Sequence, residues 1–464
     1  MKFISANLNR YDIIFLLFLS FYILFFSWYS ILKLNTFQMN HDLGIFSQAL
    51  WSTVTEGTFF FNSLENTINA GVTSHFGVHT SPILAALLPV YALAPGVKTL
   101  LVVQSILLGL GAVPIYLTAK KILGNPGALI ISLVYFLYPG LHGVNLTDFH
   151  EIAFLPLFLG FFLYACVLQR TRWIFLFGLL CLLIKEDVAV IILCASLYGV
   201  YVSRIQNRIC FKTFLVLSII SAAWVIAAFF VIMPAFSPVH ELISTTFISQ
   251  YYQLGTHSDF DQMPRIIYFI ELFGPLLFLP LLSPEILIIS IPSFAEIFLS
   301  QSGFFNIGAQ YSSLVVMPLF FATIFSLRKI QKKTDGNTHH FFEILLIGLV
   351  ASSVISCCIY SPAVTINAIL DAPEDMHADS DWFIKGVSQI PDTASVSTQA
   401  NLVPFFSDRM NVYEDQINNA DYIVFLTKFV NSKPYVDGIQ DITRSYRCIY
   451  KENGLYIFKQ TSLT

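Results

Sequence analysis

Charge is what this sequence has least of. Asp, Glu, Lys and Arg make up 12% of the 464 residues, while 56% are hydrophobic and mean hydropathy is +0.69. A soluble globular domain carries about 25% charged residues, so the chain reads as a polytopic membrane protein without a nucleic-acid partner. Its 45 Phe and 21 Tyr add the bulk of a lipid-facing protein. Disulfide chemistry is also missing. Of seven cysteines, five (Cys166, Cys181, Cys194, Cys357, Cys358) fall in apolar runs, Cys210 in a basic loop and Cys448 alone in the polar tail. No CxxC motif or pairing framework results, and nothing about the redox compartment follows. No small-x-small cleavage site follows the first apolar run, Ile13 to Leu32, which is about twice the length of a signal-peptide core. That run is expected to be an uncleaved transmembrane helix. Internal repeats and low-complexity linkers are absent too.

Hydropathy and Lys/Arg bias place and orient the remaining spans. Span one, about 12–33, follows Lys2 and Arg10, and a long first outer loop with interfacial helices, 34–97, comes after it. Within that loop, 83–94 is apolar but short, is broken by Pro89 and Pro95, and as a span would put Lys120 and Lys121 outside. An interfacial or re-entrant helix removes the conflict. The expected spans are then 99–119, 127–141, 152–169, 173–184, 188–203, 213–235, 266–282, 285–300, 311–327 and 341–361, about eleven with the first. A second outer loop covers 236–265 and holds His240, Glu241, His257, Asp259, Asp261 and Arg265. Of the 17 Lys/Arg in residues 1–370, thirteen face inward and four (Lys33, Lys98, Lys185, Arg265) outward. The expectation is a cell-membrane protein with a cytoplasmic N-terminus and an outer C-terminus.

Residues 1–370 form the membrane part, and from Asp371 the character changes. Residues 371–464 hold 8 basic against 13 acidic side chains. A helix near 379–389, strands at 395–397 and 421–426, and a hairpin of 446–450 with 455–459 around Glu452-Asn453-Gly454 predict a small extracytoplasmic α/β domain.

Ionisable residues at membrane depth are functional candidates by default, and here they gather at the outer ends of spans. Asn40-His41-Asp42 opens an amphipathic helix pattern just beyond span one. His75 and His79 stand four apart in the same loop. Asp148, His150 and Glu151 precede span four, and Lys185-Glu186-Asp187 interrupts an otherwise apolar run. Each cluster also has a purely structural reading. Asp42 suits a helix N-cap, and His75 and His79 suit interfacial residues as well as a metal pair. Asp148 and Glu151 suit first-turn acids, and Lys185 to Asp187 suits a short outer loop. On the functional reading, Lys185 or Arg265 binds a phosphate, and the acids orient a sugar hydroxyl or a divalent cation.

These clusters also carry a resemblance. His41 to Trp51, His75 to Leu84, Asp148 to Glu151 and Lys185 to Ala189 resemble, in order, four signatures of an uncharacterised family of predicted membrane proteins, domain of unknown function 2079. The likeness continues through Gln310-Tyr311-Ser312-Ser313, Ile390-Pro391-Asp392 and Asn401 to Pro404. The family usually has His before the Tyr; Gln310 stands there, so no His-dependent role is carried over. The layout further resembles the C-type membrane glycosyltransferase fold: an inside N-terminus, an acid after span one, interfacial helices before span two, and a terminal outer domain. That resemblance implies transfer of a sugar from a polyprenyl-phosphate carrier to a glycan, lipid or protein acceptor. The acid beyond span one maps onto Asp42, the expected catalytic base. His41, His75, His79, Asp148, His150, Glu151, Lys185, Glu186, Asp187 and Arg265 become expected substrate contacts. Two other readings remain open. Glu271, Glu285 and Glu296 keep a transporter or lipid flippase in play, and the acidic tail suits a non-catalytic assembly subunit.

Overall fold

A computed structural model describes residues 8–68, 71–207, 209–237, 262–300, 304–334, 339–365, 376–416 and 420–461. The first helix, Arg10–Asn35, begins in a capping box: the Asn9 side chain accepts from the Tyr11 and Asp12 N–H groups, and Asp12 accepts from the Asn9 N–H. Asp12 also takes the Tyr116 hydroxyl at 2.6 Å and pairs with Lys120. These contacts tie the start of the first helix to the end of the second span. At 26 residues the helix rises about 39 Å. Its far end, where Lys33 and Asn35 lie, is therefore on the opposite side of a ~30 Å hydrocarbon layer.

Among the described residues, six stretches are long and apolar enough to cross a membrane: Arg10–Asn35, Val97–Phe136, Glu186–Ile205, Phe211–Ala235, Gln310–Lys333 and His340–Tyr360. Three apolar helices are shorter: Pro82–Leu93, Glu151–Val167 and Thr171–Leu182. Val97–Phe136 takes in the expected span 99–119 and most of 127–141. The chain reverses after Lys120-Lys121, at Gly124 (φ 85°, ψ 178°) just before Pro126. Pro82–Leu93 is a 3₁₀ segment running into one short helix, roughly 20 Å in all and too short to cross.

The expected spans 266–282 and 285–300 are not continuous helices. Helix Gln262–Phe273 gives way to 3₁₀ turns, with Leu277 and Phe278 in the left-handed region, and the chain returns through Pro284–Leu287, a 3₁₀ turn at Ile288–Ser290 and helix Ile291–Leu299. Pro275, Pro280, Pro284 and Pro292 remove donors and obstruct each preceding turn. Broken backbone survives at membrane depth only where its polar groups find partners. Here Ser352 and Ser353 of helix His339–Tyr360 donate to the Gly274 and Pro275 carbonyls, each at 2.8 Å, and Tyr138 donates to Leu272. Hydropathy averages over such breaks, which is why the sequence reads as two plain spans.

The tail folds into a five-stranded sheet ordered β2-β1-β3-β5-β4. Its strands are β1 (Val396–Thr398), β2 (Val412–Glu414), β3 (Tyr422–Leu426), β4 (Tyr446–Glu452) and β5 (Leu455–Gln460). β1 runs parallel to β2 and β3, and β5 is antiparallel to β3 and β4. The β4–β5 loop is Asn453 (φ 47°) and Gly454 (φ 86°), the pair of positive φ values that a tight hairpin requires. Helix Asp381–Val387 lies where expected. The three-residue β2 and the 3₁₀ run Ala400–Phe406 are too short to leave a periodic signal.

This sheet is packed onto the segment that follows the first helix. Phe37, Ile45 and Leu64 enter one apolar cluster with Trp382, Phe383, Leu402, Val403 and Phe406. Hydrogen bonds run from Asn401 to the Phe37 carbonyl (3.0 Å) and from Gln48 to the Arg409 carbonyl (2.7 Å). Ser63 joins the two parts by donating to the Val412 carbonyl and accepting its N–H. Helix His41–Thr55 approaches the tail through Gly44, where a Cβ would lie 2.5 Å from Val403 Cγ1 and 3.3 Å from the Val403 carbonyl carbon. Gly44→Ala is therefore expected to lower stability by about 1–3 kcal/mol through overpacking. Thermal unfolding in detergent checks this; an unchanged midpoint would mean the tail does not dock there.

Candidate functional site

The site is built around the start of helix His41–Thr55. Asn40 supplies no side-chain cap. Asp148, 3% exposed, does so from over a hundred residues away: its carboxylate accepts the Asn40 N–H at 2.9 Å and the Leu43 N–H at 3.0 Å. Two free helix N–H groups are thereby satisfied by a carboxylate at the helix end where the dipole favours negative charge, although burial and the neighbouring Asp42 push its pKa up. Lys33, which donates to the Leu146 carbonyl at 2.6 Å, adds a nearby positive charge. Asp42 is accordingly not the cap that local sequence suggested. Asp148, expected from its motif as a substrate contact, is instead turned to this helix start and does not line the cavity described below.

Asp42 instead lies between two imidazoles. His150 Nε2 is 3.2 Å from one oxygen and His41 Nε2 is 3.4 Å from the other. The His150 backbone N–H donates to the Gln104 side chain (3.0 Å), and Nδ1 faces the Asp148 carbonyl at 2.8 Å. Both ring nitrogens of His150 therefore face acceptors, which favours the imidazolium. Burial opposes its charge, but Asp42 outweighs burial and raises its pKa. His41 is similar, with Nδ1 2.8 Å from Glu414 of the tail. Burial would lower its pKa, yet Asp42 and Glu414 lift it from 6.5 to about 10. That stabilisation is complete below about pH 6.5 and is lost as pH rises through about 10. Burial alone would raise the Asp42 pKa, but the two imidazoliums hold its carboxyl well below the usual carboxylate range. Asp42 is thus a firmly ionised carboxylate, and 36% of its side chain remains exposed.

His75 and His79 do not form a metal pair. His75 opens a 3₁₀ turn rather than a helix and turns Nδ1 to Glu65 at 2.9 Å, while His79 turns Nδ1 to Glu186 at 2.8 Å. Glu65 is held in turn by Asn62, and Glu186 also accepts the Thr80 N–H at 2.9 Å. Among the described residues, no three His, Cys, Asp or Glu side chains are grouped to hold a metal ion. The donor set thus does not fit the divalent ion that the histidine spacing allowed.

The Lys185 ammonium lies 3.7 Å from Asp187, with Glu151, Glu186 and Glu296 also in its field. Burial opposes its charge, but these acids keep its pKa above the ordinary lysine value. Its position just ahead of helix Glu186–Ile205 explains the inserted charges: they open a helix at the polar end of the bundle.

One cavity of about 560 Å³ collects these groups. Of the residues expected from the sequence, His41, Asp42, His75, His79, His150, Glu151, Lys185, Glu186 and Asp187 line it. Arg265 does not. Its guanidinium donates to the Phe298 and Ser300 carbonyls at 2.8 and 2.9 Å and lies over the Phe305 ring, consumed by the broken helix ending at Leu299. His240, Glu241, His257, Asp259 and Asp261 lie outside the described residues. Glu65, Glu296 and Tyr311 line the cavity without having been expected there. Glu296 carried a signal, as an acid within an apolar run, whereas Glu65 looked like loop polarity. Val190, Phe229, Met233, Pro292 and Phe304 contribute apolar wall to the same cavity. Part of this wall comes from the π turn Ala228–Ile232, an irregularity frequent at functional sites.

No match was found among curated protein sequences. Among solved structures, the chain is similar to ArnT from Cupriavidus metallidurans bound to undecaprenyl phosphate, with TM-score 0.60 and 12% identity, covering 98% of this chain and 99% of that one. The apo state of the same ArnT aligns with TM-score 0.55 and 12% identity, covering 96% and 98%. End-to-end overlap at so low an identity shows a shared fold, that of a C-type-like membrane protein with a small terminal sheet domain. The family model described as "Predicted membrane protein (DUF2079)" matches residues 13–457, and the chain belongs to that family of membrane proteins.

Proposed function

We propose that the protein is a membrane glycosyltransferase that takes a sugar from a polyprenyl-phosphate-linked donor and passes it to an acceptor on the extracytoplasmic side. One observation carries this reading: a partly exposed, firmly ionised Asp42 shares a single cavity with the Lys185 ammonium and apolar side chains. The fold shared with ArnT, solved with undecaprenyl phosphate bound, supports it. So does the bias of Lys and Arg, which favours an extracytoplasmic cavity and tail and a cytoplasmic N-terminus.

In this reaction the acceptor hydroxyl attacks the anomeric carbon from the face opposite the phosphate. The bond from that carbon to the phosphate oxygen breaks, and configuration inverts. Negative charge develops on the departing polyprenyl phosphate, and Lys185 stabilises it. Asp42 takes the acceptor's proton. A carboxylate held so strongly ionised is a weak base, so the proton leaves late, once the attacking oxygen has gained positive character. The apolar wall at Phe229 and Met233 receives the first isoprene units, and the carboxylates around Lys185 orient sugar hydroxyls.

The test is to incubate the purified protein in nanodiscs with polyprenyl-phosphate-linked sugars and acceptor-containing membrane extract. Release of free polyprenyl phosphate together with labelled product is expected. Donor-independent movement of lipid or solute in liposomes, without release, would favour the transporter. That alternative has lost one of its supports, since Glu285 pairs with Lys329 at 2.7 Å on the exposed surface and only Glu296 reaches the cavity. Lys185→Gln is expected to weaken undecaprenyl phosphate binding about tenfold or more, the value of a hydrogen bond to a charged group. An unchanged Kd would remove Lys185 from the phosphate site.

A further inference from the structure

The reading of Asp42 as base uses groups from the membrane part alone, yet one group touching its surroundings comes from the tail. Glu414 ends β2, one of the two edge strands of the sheet, and lies 2.8 Å from His41 Nδ1. His41 Nε2 faces one oxygen of Asp42, and His150 Nε2 faces the other. The result is a continuous line of alternating charge, Glu414–His41–Asp42–His150, that crosses from the sheet domain into the cavity.

Two linked tethers, Gln48 and Ser63, fix its geometry. Gln48, two turns along the helix that carries Asp42, donates to the Ser63 hydroxyl and to the Arg409 carbonyl. Ser63 bonds both polar backbone groups of Val412, two residues before Glu414 on the same strand. The parallel register Val396↔Val412 and Thr398↔Glu414 then locks that strand into the sheet. The helix and β2 therefore cannot shift relative to each other without breaking buried hydrogen bonds, so Glu414 stays against His41.

We infer that Glu414 is a positioning residue for sugar transfer: through His41 it orients the Asp42 carboxylate, so that the catalytic site is complete only with the tail docked. This rests on the reading of Asp42 as the base. A carboxylate close to each ring nitrogen, 2.8 Å for Glu414 and 3.4 Å for Asp42, favours the imidazolium and biases the carboxylate oxygen it faces. The charged groups around His41 are Asp42 on its own helix, Glu414 and Asp415 from the tail, and His150 beyond Asp42. Asp415 is pushed up to about 6 by burial and by Glu414, so it adds little negative charge under mildly acid conditions.

The test compares wild type, Glu414→Gln, Glu414→Asp and Asp42→Asn as full-length proteins of matched thermal stability. The His41 ring is followed by nitrogen NMR in ¹⁵N-histidine-labelled protein, assigned with His41→Gln, and donor turnover is measured alongside. Glu414→Gln is expected to move the His41 titration down by about one unit or more, the effect of removing an opposite charge in contact. It is also expected to lower kcat about tenfold or more with KM little changed, as misorientation does. Glu414→Asp should recover part of both. An unmoved His41 titration overturns the inference, as does a moved titration with full turnover. If Asp42→Asn also keeps full turnover, the base assignment falls and the positioning role with it. If Asp42→Asn alone abolishes turnover, the base assignment stands without Glu414.

Discussion

Asp148→Ala is expected to lose the fold of the site altogether. The substitution strips the Asn40 and Leu43 N–H groups of their acceptor at a buried helix start, and it leaves the Lys33 ammonium without its nearby counter-charge. Removing one member of a buried charged set costs roughly 3–5 kcal/mol. Net stabilities are only about 5–15 kcal/mol, so a large fraction of the total is at stake. The helix bearing His41 and Asp42 would fray first, and the tail, which packs on that helix through Ile45 and Gln48, would loosen with it. The expected result is aggregation on extraction, or a midpoint lowered by many degrees, in a detergent thermal-shift measurement. Asp148→Asn keeps an acceptor and loses the charge, so it should fall between. Wild-type stability in Asp148→Ala would mean that the helix start is capped in some other way.

Asp42→Asn is the converse case, in which the larger effect is on turnover. Asp42 caps nothing, and its side chain is 36% exposed. Replacing it removes the proton acceptor and leaves two imidazoliums facing an amide. Loss of a general base costs typically 10²–10⁴-fold, and transfer of sugar from the lipid donor should fall by about that much with donor binding retained. His41 and His150 should then titrate nearer the ordinary range, because the carboxylate that outweighs their burial is gone. Turnover within a factor of about three of wild type would remove Asp42 from the chemistry, a factor far below what a general base supplies.

The contrast between these two aspartates marks what the sequence could and could not reveal. Local pattern selects Asp42 as a cap because it lies at a helix start, but the cap comes from Asp148 through a contact that only the folded bundle creates. The grouping of four motifs at one end was legible, because each lies at the outer end of a span or in the first outer loop, at a position set by hydropathy and Lys/Arg bias. Nine of the eleven residues expected at the site line one cavity. Arg265 was chosen for its charge, and its charge is spent on carbonyls that the proline-broken segment leaves open. Glu65 and Glu414 were missed because each sits in an ordinary polar context, and only packing brings them to a histidine. The short strand β2, three residues long, carries no periodicity of its own, yet it delivers Glu414.

The central claim is that one cavity holds a lipid phosphate at Lys185 within reach of the Asp42 carboxylate. A cryo-electron microscopy structure of the protein in nanodiscs with undecaprenyl phosphate tests it most directly. The account predicts phosphate density within about 3 Å of Lys185 Nζ, with the isoprenoid leaving past Phe229 and Met233. Phosphate bound outside the cavity, or inside it but away from both Lys185 and Asp42, would contradict it.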